Sequence, residues 1–485
     1  MDCGCALEKT RGAKKHVTCL LAEDGTPLTE PAEMCGRAQA FYASLFSPDP
    51  TDPSACRVLW EELPTVSASN RDGLELPLTL AEFSEALRRM PTNKSPGMDG
   101  LTVEFYCVFW DVLSPDLVTV WAESLQGGVL PLSCRRAVLA LLPKKGDLRD
   151  LRNWRPVLLL SMDYKIVAKA ISLWLGSVLA DVIHPDQTYT VPDLSIFDNL
   201  FMVRDLLELG SRDGLSFALL SLDKEKAFDR VDHGYLLSTL QAFGFGPQFV
   251  GFLRVLYASS ECLVKLNWTL TELVSFGQGV QQGCPLLGQL YALATEPFLC
   301  LLHRRLTGLV LREPELQLVL SAYADDVLLV IQDLGDLARV EACQAIYSAA
   351  SSTRVNWVKS SGLAVGDWWQ ASSLPPALQT IRQEKNAGSP PNPLALPYGK
   401  GEKGKIVKGA IAQAACYGLI RSAGIVLRSS AKPTENKQYF NCCEAFLLFL
   451  MHLLLPIADS ILDTSCPEAK SPDNYRDQIG QEKQK

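Results

Sequence analysis

Basic charge is scarce in this 485-residue chain: 46 Lys and Arg are outnumbered by 54 Asp and Glu, for a net charge of −8. A protein that grips nucleic acid over its whole surface shows the opposite excess. The deficit argues against that kind of binder without deciding the matter, because an enzyme needs only one basic cleft. The local balance does change, because Lys144 to Lys169 holds seven basic residues against three acidic ones. Histidine is also rare, with five scattered along the chain, so no histidine cluster or evident nucleophile supports metal-assisted hydrolysis. No apolar run is long enough to span a membrane. The best candidate, Phe446 to Ala458, is too short and contains His452 and Pro456, and it reads as a core helix or as an accident of the chain's end. The 15 cysteines lack paired CxxC spacing and no secretory signal opens the chain. Reduced thiols in a nuclear or cytoplasmic setting follow, and the lone Cys3–Cys5 pair does not read as a metal site. Apolar residues, at 47%, are plentiful enough for a globular body, and the length allows two or three domains.

The pattern along the chain points to mixed helix and strand. Residues 1–78 read as a linker or adaptor region, with a Pro-rich loop at Ser47–Pro53 and short helical stretches. Thr79 and Glu82 have capping-box spacing ahead of a helix whose Leu80, Phe83, Leu87 and Met90 share a face, and Pro91 ends it. Val138–Pro143 and Val157–Leu160 read as a hairpin with basic residues at its tip. A helix over Asp163–Leu179 follows. Phe217–Leu222 is an apolar run broken only by Ser221, as in a strand buried on both faces, and its first charged group comes at Asp223. Helices are expected over Leu236–Phe243, from Pro247, from the glycine-rich turn Gly277–Pro285 up to Leu306, and over Leu337–Ala350. Leu318–Ala324 and Val327–Ile331 flank Asp325–Asp326 as a second hairpin. Val355–Lys359 and Gly362–Val365 are expected to pair with each other. After Gln383 the composition turns Pro-rich, then Gly- and Lys-rich, then polar, as in disordered chain.

These settings have a chemical meaning. Phosphoryl transfer between a growing strand and a nucleotide uses two divalent cations, and magnesium takes hard oxygens from one or two carboxylates. An aspartate after an apolar strand is often only a helix cap, and two aspartates in a surface turn are common. Side by side in a hairpin of apolar strands, however, the two carboxylates repel, and a cation relieves that repulsion.

The residues around them carry a resemblance. SAYADDV (Ser321–Val327) resembles the Tyr-X-Asp-Asp box of reverse transcriptases. LLSLDKEKAFDRVDH (Leu219–His233) and QQGCPLLGQLYAL (Gln281–Leu293) resemble the first catalytic box and the glycine box of non-long-terminal-repeat retrotransposon enzymes. LLPKKGD, NWRPVLLL, NKSPGMDGLTVEFY and VNWVKSSGL resemble their other boxes, all in the family's order, from about residue 10 to about residue 382. The wording is most similar to the branch abundant in fish and amphibian genomes.

The resemblance implies an α+β fold: a right-hand polymerase palm and fingers with an antiparallel sheet flanked by helices. It implies an RNA-directed DNA polymerase acting on an RNA template, a DNA primer and deoxynucleoside triphosphates, with two Mg2+ ions or Mn2+ in their place, and no membrane. Asp223 and Asp325 would be the principal metal ligands and Asp326 an accessory one. Lys359 would protonate the leaving pyrophosphate. Lys144, Lys145 and Arg155 would meet the triphosphate, Phe228 would exclude ribonucleotides, and Gln282 and Gly283 would line the nascent base pair. Read alone, Phe228 is a core residue and the cations are solvated.

The chain also departs from the family. Gln278 and Gln281 replace basic residues near the glycine box, and Leu287 replaces a serine. The expected organisation is a linker over 1–78, fingers and palm over 79–382, and a divergent tail over 383–485, with thumb and endonuclease absent or replaced. The alternative function is a catalytically inactive element remnant, or a nucleic-acid-binding protein that keeps the fold.

Overall fold

The computed structural model describes residues 16–365 apart from 145, 313, 314 and 358. Expectations for Cys3–Cys5, Lys145, the tail 383–485, its run Phe446–Ala458 and the missing thumb fall outside those residues. Eight strands build two sheets: β1 (Arg136–Pro143), β2 (Trp154–Leu159), β3 (Phe217–Leu222), β4 (Glu261–Leu266), β5 (Thr269–Ser275), β6 (Leu320–Tyr323), β7 (Asp326–Ile331) and β8 (Ser361–Val365). Three long helices pack against them: α1 (Met162–Val182), α2 (Leu287–Arg305) and α3 (Gly335–Ser351). The α+β class expected from the sequence is the one observed.

The first sheet has the order β2-β1-β4-β5. β1 and β2 form the expected antiparallel hairpin, with Leu142 opposite Arg155. β1 also runs parallel to β4, so this sheet is mixed rather than purely antiparallel.

The second sheet has the order β6-β7-β3-β8. Its apolar run puts β3 inside, with every residue buried except the half-buried Ser221. Hydrophobic burial on both faces explains why no polar residue precedes Asp223 except Ser221. One expectation is corrected here. The segments at 355–359 and 362–365 do not pair with each other. β8 pairs with β3, and Arg354–Val355 pairs with the short strand Lys224–Glu225. The open edge of β3 offers a row of backbone donors and acceptors, and a strand distant in sequence satisfies them.

The helices begin as their sequence signals dictate. Ser161 caps α1 by accepting the Tyr164 N–H, and Thr79 N–H donates to Glu82 at 2.5 Å in the capping box ahead of Leu80–Arg88. α2 is buried nearly all round, from Leu290 to Leu302, as its composition requires. Residues of the expected linker region are built into the same core. Tyr42, Phe46 and Leu59 are buried there, the rings of Phe46 and Phe276 stand 4.5 Å apart, and Trp60 Nε1 donates to Thr239 Oγ1 at 3.0 Å. Among the described residues, no helix is long and apolar enough to cross a membrane.

Candidate active site

β3 and β7 pair in a register that sets Leu222 opposite Val327, so the next residue along each strand, Asp223 and Asp326, lie at the same sheet end. Tyr323 faces Asp326 across β6 and β7, and Ala324 and Asp325 close the turn between them. Ala324 holds a left-handed φ of 57°. That geometry costs a residue with a Cβ about 1–2 kcal/mol. It is held in place by the buried Gln187, whose Oε1 accepts the Ala324 N–H at 3.1 Å. The strained turn is what presents Asp325 beside the end of β3.

The backbone of Asp223 is anchored on the opposite side. Its N–H donates to Ser360 Oγ at 3.1 Å, and its carbonyl accepts the Asn356 N–H at 2.7 Å. Asn356 in turn accepts the Lys359 N–H at 3.1 Å through its carbonyl. This small loop brings Lys359 into the field of Asp223. Burial pushes the Asp223 carboxyl above its ordinary value; Lys359 and Lys144 pull it back, and the charge of Asp325 reinforces the rise. A divalent cation would relieve both the burial and the repulsion, and hard carboxylate oxygens are the donors magnesium takes. The three aspartates therefore fit such an ion by donor chemistry. Their oxygens are not drawn within one 4.8 Å cluster, as a single shared shell would require; a pair of ions does not require it.

A second group sits beside this one. Asp229 is buried, which pushes its carboxyl up, while Lys226 and a hydrogen bond from Gln282 oppose the rise. Gln282 Nε2 donates to Asp229 Oδ1 at 2.7 Å. Lys144 and Arg155 act electrostatically on the same carboxylate, and Lys144 acts also on Asp223. Phe228 is half-buried with its ring 4.3 Å from that of Tyr291, so it packs on the core with part of its surface left open. Gly283 has a φ of 127°, and a Cβ there would stand 2.4 Å from the Leu158 carbonyl oxygen. Only glycine lets the chain pass this close, and the Leu158 N–H donates to the Gln282 carbonyl at 2.6 Å. The candidate residues Asp223, Asp325, Asp326, Lys359, Lys144, Arg155, Phe228, Gln282 and Gly283 thus belong to one neighbourhood. Gln278 and Gln281, noted as departures, are buried; Gln278 donates to the Leu45 carbonyl at 2.8 Å.

Three features escaped the sequence reading. Nothing in the sequence sets Asp229 apart from the acids around it. Lys224, next to Asp223, is buried at 7% exposure among the rings of Tyr291, Phe298 and Tyr347, with Nζ 5.2–5.9 Å from their centroids. Its Nζ makes no hydrogen bond among the described residues, and burial brings it down to about 7 against the pull of Asp325. His184 and His303, read as scattered, stand with ring centroids 4.3 Å apart. Spacing in sequence carried no sign of that pairing.

Residues 142–383 match the family described as "Reverse transcriptase (RNA-dependent DNA polymerase)". The chain is 64% identical over 379 residues to a protein of Xenopus laevis, "Transposon TX1 uncharacterized 149 kDa protein", covering 78% of this chain and 29% of that one. It is 26% identical over 256 residues to a "Retrovirus-related Pol polyprotein from type-1 retrotransposable element R2" of Popillia japonica, covering 52% and 35%. It is 28% identical over 214 residues to the "type-2 retrotransposable element R2DM" polyprotein of Drosophila melanogaster, covering 44% and 20%. The chain therefore spans about a third or less of the length of these relatives.

Proposed function

This chain belongs to the reverse transcriptase family, in the form carried by non-long-terminal-repeat retrotransposons, and from that premise we propose that it extends a DNA primer along an RNA template. The observation that carries the proposal is the register of β3 on β7, which sets Asp223 and the Asp325–Asp326 turn at one sheet end with Lys359 tied alongside. Asp223 and Asp325, with Asp326 accessory, would hold two divalent cations, Mg2+ or Mn2+. Bound there, such ions supply Lewis-acid activation of the primer hydroxyl and neutralise charge on the departing pyrophosphate.

The chain's own residues do the rest. Lys144 and Arg155 bind the incoming triphosphate, Arg by its forked geometry and Lys as a point charge, with Lys145 of the same loop taking part. Phe228 fills the space a ribose 2′-hydroxyl needs. Gln282, held by Asp229, and Gly283, which lets the backbone come close, set the floor under the nascent base pair. Lys359 gives its proton to the leaving pyrophosphate.

The division into a linker over 1–78, fingers and palm over 79–382 and a tail over 383–485 belongs to the same proposal. The capping box at Thr79 supports the first boundary, although residues before it share the core.

Primer extension on an RNA template with Mg2+, with Asp325→Ala as control, tests the reading. The wild-type chain is expected to incorporate deoxynucleotides at least 1,000-fold faster than the variant, as removal of a metal-holding carboxylate costs several kcal/mol. Equal, background-level incorporation by both would leave only a fold that binds nucleic acid, and the polymerase reading would fall.

A further inference from the structure

The imidazoles and carboxylate gathered by the turn that runs along β6 are a different matter from the aspartate site. His184 and Asp186 belong to the turn after α1, in the sequence His-Pro-Asp, and His303 lies in the last turn of α2. Asp186 Oδ2 stands 3.1 Å from His303 Nε2 and 3.5 Å from His184 Nδ1. One ligand atom from each of the three residues lies within 4.8 Å of the others. Donors arranged tetrahedrally about an ion at 2.0–2.1 Å are separated by about 3.3 Å, so two of the three spacings already match.

Two further observations point to a ligand. His303 Nε2 is buried and makes no hydrogen bond among the described residues, although a carboxylate oxygen is 3.1 Å away. An ion shared by the two atoms would satisfy both. Glu296 is fully buried on the same face of α2, with Cys300 and His303 at intervals of four and three residues. Its Oε1 accepts the His184 N–H at 3.0 Å and the Cys300 thiol at 3.6 Å, while its Oε2 has no partner among the described residues. Two imidazole nitrogens and a carboxylate oxygen in one place are a ligand set of zinc rather than magnesium. The Asp186 N–H approaches His184 Nδ1 at 3.2 Å, a contact that metal ligation would replace.

We propose that His184, Asp186 and His303 bind one zinc-class divalent cation, with Glu296 and Cys300 as the polar wall behind it. The site would also brace the polymerase turn. The Asp186 carbonyl accepts the Ala322 N–H at 2.8 Å, and Gln187 holds Ala324, so an ion fixed to Asp186 would stiffen the strand that leads to Asp325. The inference does not depend on the polymerase reading, because its test reads metal binding.

The purified full chain, stripped with a chelator, is titrated with Zn2+ against a chromophoric indicator. Other cysteines of the chain can take zinc, so His303→Gln and Asp186→Asn locate the site. Each variant is expected to lose one equivalent, or to bind it at least 10-fold more weakly. Histidine-ring NMR of the wild-type chain checks the same point without a variant, with two rings expected to shift at one equivalent of Zn2+. Unchanged stoichiometry and affinity in both variants would overturn the proposal, as would histidine rings that do not respond.

Discussion

The Asp223 carbonyl accepts the Asn356 N–H at 2.7 Å, and Asn356 accepts the N–H of Lys359 in the same short loop. The loop therefore hangs from the strand end that bears Asp223, and backbone bonds hold the main chain of Lys359 in place. Lys359→Ala leaves those bonds intact. The expected result is a fall in kcat of about 100-fold, the lower end of general-acid catalysis, with KM for the nucleotide changed far less. Single-turnover primer extension checks it, and an equal change in both constants would assign Lys359 to binding instead.

Gly283→Ala places a Cβ against the Leu158 carbonyl at a φ that alanine rarely adopts. The strain of about 1–3 kcal/mol is expected to lower the denaturation midpoint and to break the Leu158–Gln282 bond at the cleft. Extension should fall more than 10-fold. A variant with unchanged melting and rate would show that the loop can move aside.

Phe228→Val shortens the side chain that rests on Tyr291. Ribonucleotide incorporation relative to deoxynucleotide is expected to rise by about 10- to 100-fold, corresponding to roughly 1.4–2.8 kcal/mol of lost discrimination. Competitive incorporation from mixed pools measures the ratio. A constant ratio with reduced stability would mark Phe228 as a core residue only.

Asp163 accepts a hydrogen bond from the Tyr106 hydroxyl, yet burial pushes its carboxyl above the ordinary 3.8. A carboxyl with a raised folded value binds its proton more tightly in the native state. Its contribution is therefore fully present below the unfolded value and is lost as pH rises through the raised one. Asp163→Asn cannot titrate, so its unfolding midpoint should fall less than that of the wild type as pH rises across that window. Urea unfolding at several pH values provides the comparison, and parallel profiles would remove Asp163 as the cause.

How much of this was readable beforehand depended on whether the signal was local. Asp223 and Asp325–Asp326 were legible because apolar runs announced the strands and the carboxylates broke those runs at their ends. The capping box at Thr79 was legible because both halves lie three residues apart. Partner choice was not local. The segments near 355 and 362 read correctly as extended, but their partners are Lys224–Glu225 and β3, and nothing in alternation specifies which edge a strand will take. Lys224 shows why burial of a charge is hard to foresee, since its aromatic surroundings come from Tyr291, Phe298 and Tyr347, far along the chain. His184 and His303 meet only because α1 and α2 end at the same place.

The pairing of β8 with β3 also sets a timetable for synthesis. The strand that carries Asp223 leaves the ribosome well before its partner at Ser361–Val365 does. At 5–20 residues per second the delay is roughly 7–28 s. Both edges of β3 stay open until β7 has been made, and one stays open until β8 follows, leaving apolar, hydrogen-bond-hungry backbone of the kind on which nascent chains associate. A ribosome that stalls between Asp223 and Val365 would hold the chain in its stickiest form, with the candidate active site still unbuilt.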